Sequence, residues 1–194
     1  FDVPLHYNFY NASRDENYNL TQILDKTLMK ENPSKAVTFV DNHDTQPEQS
    51  LQSYVERWLK LPAYSIILLR DEGYPCVFYG DFYGIKHSNI EKIEGLKEMI
   101  TIRKDKAYGK QNDYFDNPSC IGWTREGDEE HMKSGIAVLI SNKYDSEKRM
   151  YIGKDLAGEE FIDAMGNCEE KVMIDEEGFG NFKVKAKSVS VWVR

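Results

Sequence analysis

The sequence predicts an α/β segment over residues 1–105 followed by an all-β segment over residues 106–194. Two short runs of β-branched and aromatic residues, 37–40 and 76–79, flank a long helical pattern, as in a βαβ unit with parallel strands. Beyond Lys106 the composition changes, and short apolar runs alternate with glycine-containing turns. These observations together predict a parallel sheet covered by helices and then a small antiparallel sandwich.

Apolar residues at helical spacing place the helices of the first segment. One helix is predicted over residues 20–29, with Asn19 or Thr21 as its cap. A second begins near Leu51, and Pro62 is expected to kink or restart it.

A third helix is predicted over residues 90–100, with Ser88 or Asn89 as its cap. The strands predicted for the second segment are the runs 120–124, 136–140, 149–152, 172–174, 182–184 and 188–193. In the last run the valines alternate with Ser188, Ser190 and Trp192, which predicts a strand with two different faces.

Charge and composition exclude several classes of protein. The chain carries 25 Lys and Arg against 33 Asp and Glu, a net charge of −8, which argues against a nucleic-acid binder. No apolar run approaches the roughly 20 residues of a membrane-spanning helix, so no membrane partner is expected. Three widely spaced cysteines, Cys76, Cys120 and Cys168, predict free thiols and favour a cytoplasmic over a secreted location.

Residues 41–44, Asp-Asn-His-Asp, follow a predicted buried strand, where parallel α/β folds place active sites. The simplest interpretation is a loop that caps the next helix. A second is a metal phosphohydrolase site, although the other three histidines form no HxH or HxxxH spacing. A third is carboxylate catalysis at a glycosidic bond, with His43 on a sugar hydroxyl and Asp44 facing the reacting centre.

Sequence resemblance favours the third interpretation. Residues 37–47, VTFVDNHDTQP, resemble the fourth signature region of the α-amylase family of glycoside hydrolases. Residues 73–81, GYPCVFYGD, resemble the strand-eight signature of that family. The opening FDVPLHY and several later segments are similar to liquefying-type bacterial α-amylases, in order along nearly the whole chain.

The resemblance implies the last part of a (β/α)8 barrel followed by a C-terminal antiparallel β-sandwich domain. It implies hydrolysis of internal α-1,4-glucosidic bonds in starch, glycogen or maltooligosaccharides. Asp44 matches the aspartate that stabilises the transition state, and His43 matches a histidine that contacts the substrate. Gln46 lies on the same loop and is a candidate for lining the cleft. Tyr79 and Asp81 are expected to close the last strand. We expect Tyr79 to pack rather than to act in catalysis.

Retaining hydrolysis also needs a nucleophile and an acid/base carboxyl. The family carries them after strands four and five, and neither those motifs nor the D-x-x-x-N-H motif of strand three occurs in the 194 residues. We therefore expect the chain to work with an N-terminal part of the same enzyme and to be inactive alone. The two barrel strands would then have open edges.

The resemblance also implies calcium, bound mostly by the N-terminal part of a full-length enzyme. One further family site would lie between barrel and sandwich, with backbone ligands near Glu16, Tyr18 and Pro118. Its carboxylate positions fall on Ser119 and Asn142 here. Because neutral ligands replace anionic ones, we expect this site to be weak or empty.

A non-catalytic carbohydrate-binding or scaffold module is the alternative function. Trp58, Trp123 and Trp192 could stack on sugars if they were exposed. Trp58 and Trp192 lie on patterned elements, which instead favours packing in the core.

Overall fold

A computed structural model describes residues 1–88 and 90–194. Its helices and strands run in the order α1 (Val3–Arg14), α2 (Leu28–Glu31), β1 (Val37–Phe39), α3 (Arg57–Leu69), β2 (Tyr74–Cys76), α4 (Tyr79–Tyr83), α5 (Leu96–Lys106), β3 (Gln111–Asn117), β4 (Cys120–Arg125), β5 (Ile136–Ser141), β6 (Ser146–Tyr151), β7 (Glu160–Asp163), β8 (Val172–Met173), β9 (Phe179–Val184) and β10 (Ser188–Val193). Within the described ranges, no helix has the length and apolar character needed to cross a bilayer.

The α/β segment contains the predicted parallel pair. Strand β1 runs parallel to β2, with Val37 opposite Tyr74 and Phe39 opposite Cys76, and α3 connects them. Gly73 adopts φ +79° in the turn before β2, a conformation that side chains with a Cβ rarely tolerate. In the described part of the chain, β1 and β2 form a sheet of two strands.

Several predicted helices differ from the observed ones. The helix predicted over 20–29 is a single 3₁₀ turn, capped as expected by Asn19, followed by α2. Lys26 lies between them with φ +57° and ends the helical conformation there, because that backbone conformation cannot continue a right-handed helix. Helix α1 was not predicted at all.

The middle helix begins at Arg57 rather than near Leu51, and it continues through Pro62. From residue 59 nearly all of it is buried, and this burial offsets the backbone hydrogen bond that proline cannot donate. The helix predicted over 90–100 is instead α5, which Gly95 precedes in a left-handed conformation. The predicted cap Asn89 lies outside the described residues.

The all-β segment is an antiparallel sandwich, as predicted. Six strands pair in the order β3-β4-β5-β10-β7-β8, and β6 pairs with β9 in a second sheet. Strands β3 and β7 were not predicted. Strand β3 reads QNDYFDN and therefore lacks an apolar alternation.

Two apolar clusters cover opposite faces of the large sheet. Val189 and Val191 of β10 belong to a cluster shared with α3 and α5, whereas Trp192 belongs to one shared with β6 and β9. The alternation predicted for β10 is thus confirmed, with both faces buried. The first cluster continues across the predicted boundary after residue 105, so the helices and the sandwich share one core.

Candidate active site

The residues predicted to carry chemistry follow directly after β1. Val40 and Asp41 are still buried, and the chain then turns outward through Asn42, His43 and Asp44. Because β1 and β2 are parallel, their carboxyl ends lie at the same edge. The loop after β1 and the start of α4 after β2 therefore meet there.

The conformation of this loop is fixed by its own side chains. The side-chain oxygen of Asn42 accepts hydrogen bonds from the backbone N–H groups of Asp44, at 2.9 Å, and Thr45, at 3.0 Å. The Thr45 hydroxyl donates to the Asp41 carboxylate at 3.0 Å and accepts from the Asn42 N–H at 3.0 Å. This is an Asx turn anchored to a buried carboxylate.

His43 and Asp44 project from the turn toward solvent. Their side chains are 82% and 53% exposed, and Nε2 of His43 lies 3.5 Å from the Asp44 carboxylate. Both line a cavity of about 460 Å³, whose walls include the exposed Phe1, Leu51 and Tyr79. An exposed carboxylate in a largely apolar cleft can face a positive charge that develops on a bound ligand.

Gln46 is placed apart from this cleft. It borders a smaller cavity of about 210 Å³ together with Tyr54 and Lys60, and its buried Oε1 accepts no hydrogen bond within the described residues. The structure therefore brings His43 and Asp44 together but separates Gln46 from them.

A buried ionic cluster, which the sequence analysis missed, lies beneath the loop. Lys60 Nζ of α3 lies 2.9 Å from an oxygen of Asp41 and 2.5 Å from one of Asp81. The Tyr64 hydroxyl donates to the other oxygen of Asp81 at 2.8 Å, and the Val55 N–H donates to Asp41. Asp41 and Asp81 have fully buried side chains, so the lysine is shared by two carboxylates.

The charges of this cluster depend on one another. Burial raises the pKa of Asp41 to about 6, against the opposing effect of the Lys60 charge. Burial alone would lower the pKa of Lys60, but Asp41 and Asp81 outweigh it, and the lysine pKa is raised. Lys60 therefore stays protonated and joins α3 to the loop after β1 and to α4.

His6 of α1 supports the same loop from below. One ring nitrogen lies 2.6 Å from the carbonyl oxygen of Val40, the other lies 3.0 Å from the Ser53 hydroxyl, and the ring stacks on Phe39. Burial lowers the pKa of His6, so the neutral form is favoured. His6 was not selected in the sequence analysis, although the apolar spacing of residues 3–14 could have indicated the helix that carries it.

Tyr79 and Asp81 do not close the second strand. Strand β2 ends at Cys76, and both residues lie in the following helix α4. Asp81 is buried, whereas Tyr79 is 66% exposed and its ring lies 4.8 Å from that of Tyr83. Tyr79, which was expected to pack rather than to act in catalysis, places its ring on that of Tyr83, but α4 turns it outward at the cleft.

The positions predicted for calcium do come together between α1 and the sandwich. Asn142 is buried, its amide Nδ2 donates to the carbonyl of Tyr18 at 2.8 Å, and its backbone N–H donates to that of Ser119 at 3.2 Å. The Asn142 Oδ1 is buried and has no protein partner within the described residues. Among these residues, no three His, Cys, Asp or Glu side chains converge on a point that could hold a metal ion.

A second carbonyl of that set already has a protein donor, since the carbonyl of Pro118 accepts from the Leu20 N–H at 2.8 Å. The Glu16 carboxylate pairs with Lys187 at 2.9 Å, but the ligand predicted at this residue is its backbone carbonyl. Calcium prefers six to eight oxygen ligands that include carboxylates. The donor set here, one neutral amide oxygen and carbonyls used in hydrogen bonds, does not fit that requirement.

The tryptophans do not form a sugar-stacking surface. Trp123 and Trp192 are fully buried, and Trp58 is partly buried with its indole N–H donating to the Ser13 carbonyl at 2.9 Å. The packing interpretation of Trp58 and Trp192 is confirmed. The stacking role considered for a binding module is wrong for Trp123 and Trp192, because the large sheet is covered on both faces.

Comparison with known proteins finds similarity over part of the sandwich and, for several relatives, over the whole chain. Residues 136–193 match the family model described as "Alpha-amylase C-terminal". Over the whole chain the sequence is 50% identical to an α-amylase of Geobacillus stearothermophilus and 50% identical to one of Bacillus licheniformis. It is 42% identical to the cytoplasmic α-amylase of Escherichia coli K12. The chain spans only 36%, 39% and 41%, respectively, of these three relatives.

The fold is also shared with solved structures at low sequence identity. A mutant α-amylase I from Eisenia fetida, solved with maltohexaose, matches 98% of this chain and 48% of its own at a TM-score of 0.70 and 15% identity. The chain as a whole therefore corresponds to the C-terminal region of bacterial α-amylases, and its residues 136–193 are similar to the α-amylase C-terminal domain.

Proposed function

We propose that this chain contributes the transition-state-stabilising carboxylate, Asp44, to a retaining glycoside hydrolase that cleaves internal α-1,4-glucosidic bonds. The observation that carries the proposal is the position of Asp44. It lies on a rigid, exposed turn at the carboxyl end of a parallel strand, in a cleft. A carboxylate about 4 Å from the oxocarbenium-like centre is worth about 4 kcal/mol of Coulomb energy at an effective dielectric of about 20.

His43 has a separate role in this proposal. Its ring is more exposed than Asp44 and has no partner other than that carboxylate among the described residues. The ring N–H is free to donate to a sugar hydroxyl while Asp44 faces the ring carbons. In this arrangement His43 orients the sugar and contributes to substrate binding, and Asp44 lowers the barrier of the chemical step.

The nucleophile and the acid/base carboxyl come from polypeptide outside these 194 residues, because their sequence motifs do not occur in them. We propose that this polypeptide is the N-terminal part of the same enzyme. In that assembly residues 1–105 form the end of a (β/α)8 barrel and residues 106–194 form the C-terminal domain. The parallel pair β1 and β2 with its crossover helix α3 supports this arrangement.

The substrates proposed are starch, glycogen and maltooligosaccharides. The relatives named as α-amylases and the structural relative solved with maltohexaose support this class of ligand. We propose that the whole enzyme binds calcium mostly through its N-terminal part and weakly or not at all near Tyr18 and Asn142, whose donors do not suit the ion. We place the enzyme in the cytoplasm, for which the three free cysteines and the cytoplasmic relative of Escherichia coli are the support.

A chimera tests the proposal. The chain replaces the matching region of the Geobacillus stearothermophilus α-amylase, and starch hydrolysis is measured for the chimera and for the isolated chain. We expect turnover by the chimera and none by the chain alone. A folded chimera without activity, or an isolated chain with clear turnover, would contradict the division of catalytic groups. Retention of the isolated chain on immobilised starch would favour the binding-module alternative.

A further inference from the structure

A second cavity, remote in sequence from the loop after β1, lies where the helices meet the sandwich. Its volume is about 400 Å³, and it is lined by the last turn of α5 and by the ends of α3 and β4. Four cationic side chains, those of Arg70, Arg103, Lys104 and Arg125, line it together with one carboxylate, that of Asp71. In a protein of net charge −8, this concentration of positive charge is a local exception.

Arg70 forms the floor of this cationic cavity. It is 2% exposed, and its guanidinium makes a two-point contact with the Asp113 carboxylate, at 2.8 and 2.9 Å, and a third with Glu72 at 3.0 Å. Its Nε–H is buried and has no acceptor within the described residues. Because that nitrogen has almost no accessible surface, Arg70 contributes positive charge to the floor of the cavity rather than a free donor.

The other three cations have fewer anionic partners. Arg125 is 6% exposed and pairs with Asp71 at 3.1 Å, while its Nε donates to a backbone carbonyl. Arg103 donates to the carbonyl of Leu68, and neither it nor Lys104 forms an ion pair within residues 1–88 and 90–194. Burial and the nearby Arg125 charge lower the pKa of Arg103. A bound anion would relieve this repulsion between like charges.

We propose that the cationic cavity binds a phosphate group. Guanidinium forks match the oxygens of phosphate, and several donors converging from α5 and β4 suit a tetrahedral dianion better than a monovalent halide. The phosphate group could belong to free inorganic phosphate or to a phosphorylated sugar, and both present the same terminal oxygens. This site does not depend on the proposed catalytic function, because it shares no lining residue with the cleft of Asp44.

The test is a direct binding measurement on the purified chain. Inorganic phosphate and glucose 1-phosphate are titrated by calorimetry at constant ionic strength set with chloride. Thermal shifts are not used, because phosphate stabilises folded proteins non-specifically. We expect saturable binding with a dissociation constant at or below about 1 mM, and the tighter of the two ligands identifies the source of the phosphate group.

Matched variants locate the site. Arg103→Gln and Lys104→Gln should each weaken binding about 10-fold or more, because each removes a charged donor. Arg57→Gln removes an equally charged but half-exposed side chain outside the cavity and should leave the affinity within about twofold. Circular dichroism shows whether each variant is folded. If Arg103→Gln does not fold, Lys104→Gln provides the test, because Lys104 lies on the helix surface. Absence of saturation up to about 10 mM, or equal binding by all variants, overturns the proposal.

Discussion

Replacement of Lys60 by methionine tests the ionic cluster beneath the active-site loop. The substitution keeps the length of the side chain but leaves Asp41 and Asp81, both with fully buried side chains, without their shared cation. Removing one partner of a buried ion pair costs about 3–5 kcal/mol. We expect a loss of this size in the free energy of unfolding at pH 8.

The loss should depend on pH. The folded-state pKa of Asp41, about 6, already lies above the ordinary value of 3.8. A carboxyl with a raised pKa contributes stability at low pH that is lost as the pH rises through the folded pKa. Without Lys60 the pKa of Asp41 rises further, so protonation relieves more of the defect in the variant. The difference between Lys60→Met and the native chain should therefore be smaller at pH 5 than at pH 8.

Urea unfolding followed by the fluorescence of the buried Trp123 and Trp192 measures both effects. Lys110→Met is the matched control, because that lysine is 74% exposed and its ion pair at 3.8 Å is weak, and it should change stability by about 0.5 kcal/mol or less. The triple variant Lys60→Met, Asp41→Asn, Asp81→Asn should recover part of the loss, since no buried charge remains. A loss below about 1 kcal/mol, or one equal at both pH values, would contradict the role assigned to Lys60.

Two further changes test the supports of the loop and of α1. Asp2→Ala removes the N-cap of α1, a carboxylate that also accepts hydrogen bonds from the N–H groups of Leu28 and Met29. We expect the free energy of unfolding, measured in urea, to fall by about 2–3 kcal/mol. A fall of less than about 0.5 kcal/mol would contradict this role. Thr45→Val removes the hydroxyl that links the Asp41 carboxylate to the Asn42 N–H. We expect the free energy of unfolding to fall by about 1–2 kcal/mol and amide exchange in residues 42–45 to become faster. Unchanged exchange would show that the Asx turn holds without this hydroxyl.

The sequence predicted those elements whose signal is local. Strands β4 and β5 are mostly apolar runs, β10 alternates valine with serine and tryptophan, and the positions of all three were predicted within one residue. Helix α1 has a local signal too, since Leu5, Phe9 and Ala12 follow helical spacing after the cap Asp2, and it could have been found. Helix α2 could not be placed by periodicity, because the positive φ of Lys26 divides one apolar pattern into two turns.

In the candidate site, too, the features with a local sequence signal were predictable and those that depend on tertiary packing were not. The turn that carries His43 and Asp44 was predictable, because its hydrogen bonds join residues at most four positions apart. The lysine between Asp41 and Asp81 was not, because it lies about twenty residues from each carboxylate and only the packing of α3 brings the three together. In the sequence it lies in an apolar helix two residues before Pro62, and nothing local distinguishes it from an ordinary surface lysine.

The most direct test of the account is the rate of starch hydrolysis by the chimera when Asp44 is replaced by asparagine. The substitution removes the charge but keeps the shape of the side chain. We expect kcat to fall by about 10²–10³-fold or more with KM changed only a few-fold, because the missing interaction forms in the transition state. Asp155→Asn, at an exposed position in the sandwich, is the control and should retain full activity. If Asp44→Asn keeps more than about a tenth of the native kcat, the role assigned to this carboxylate is wrong.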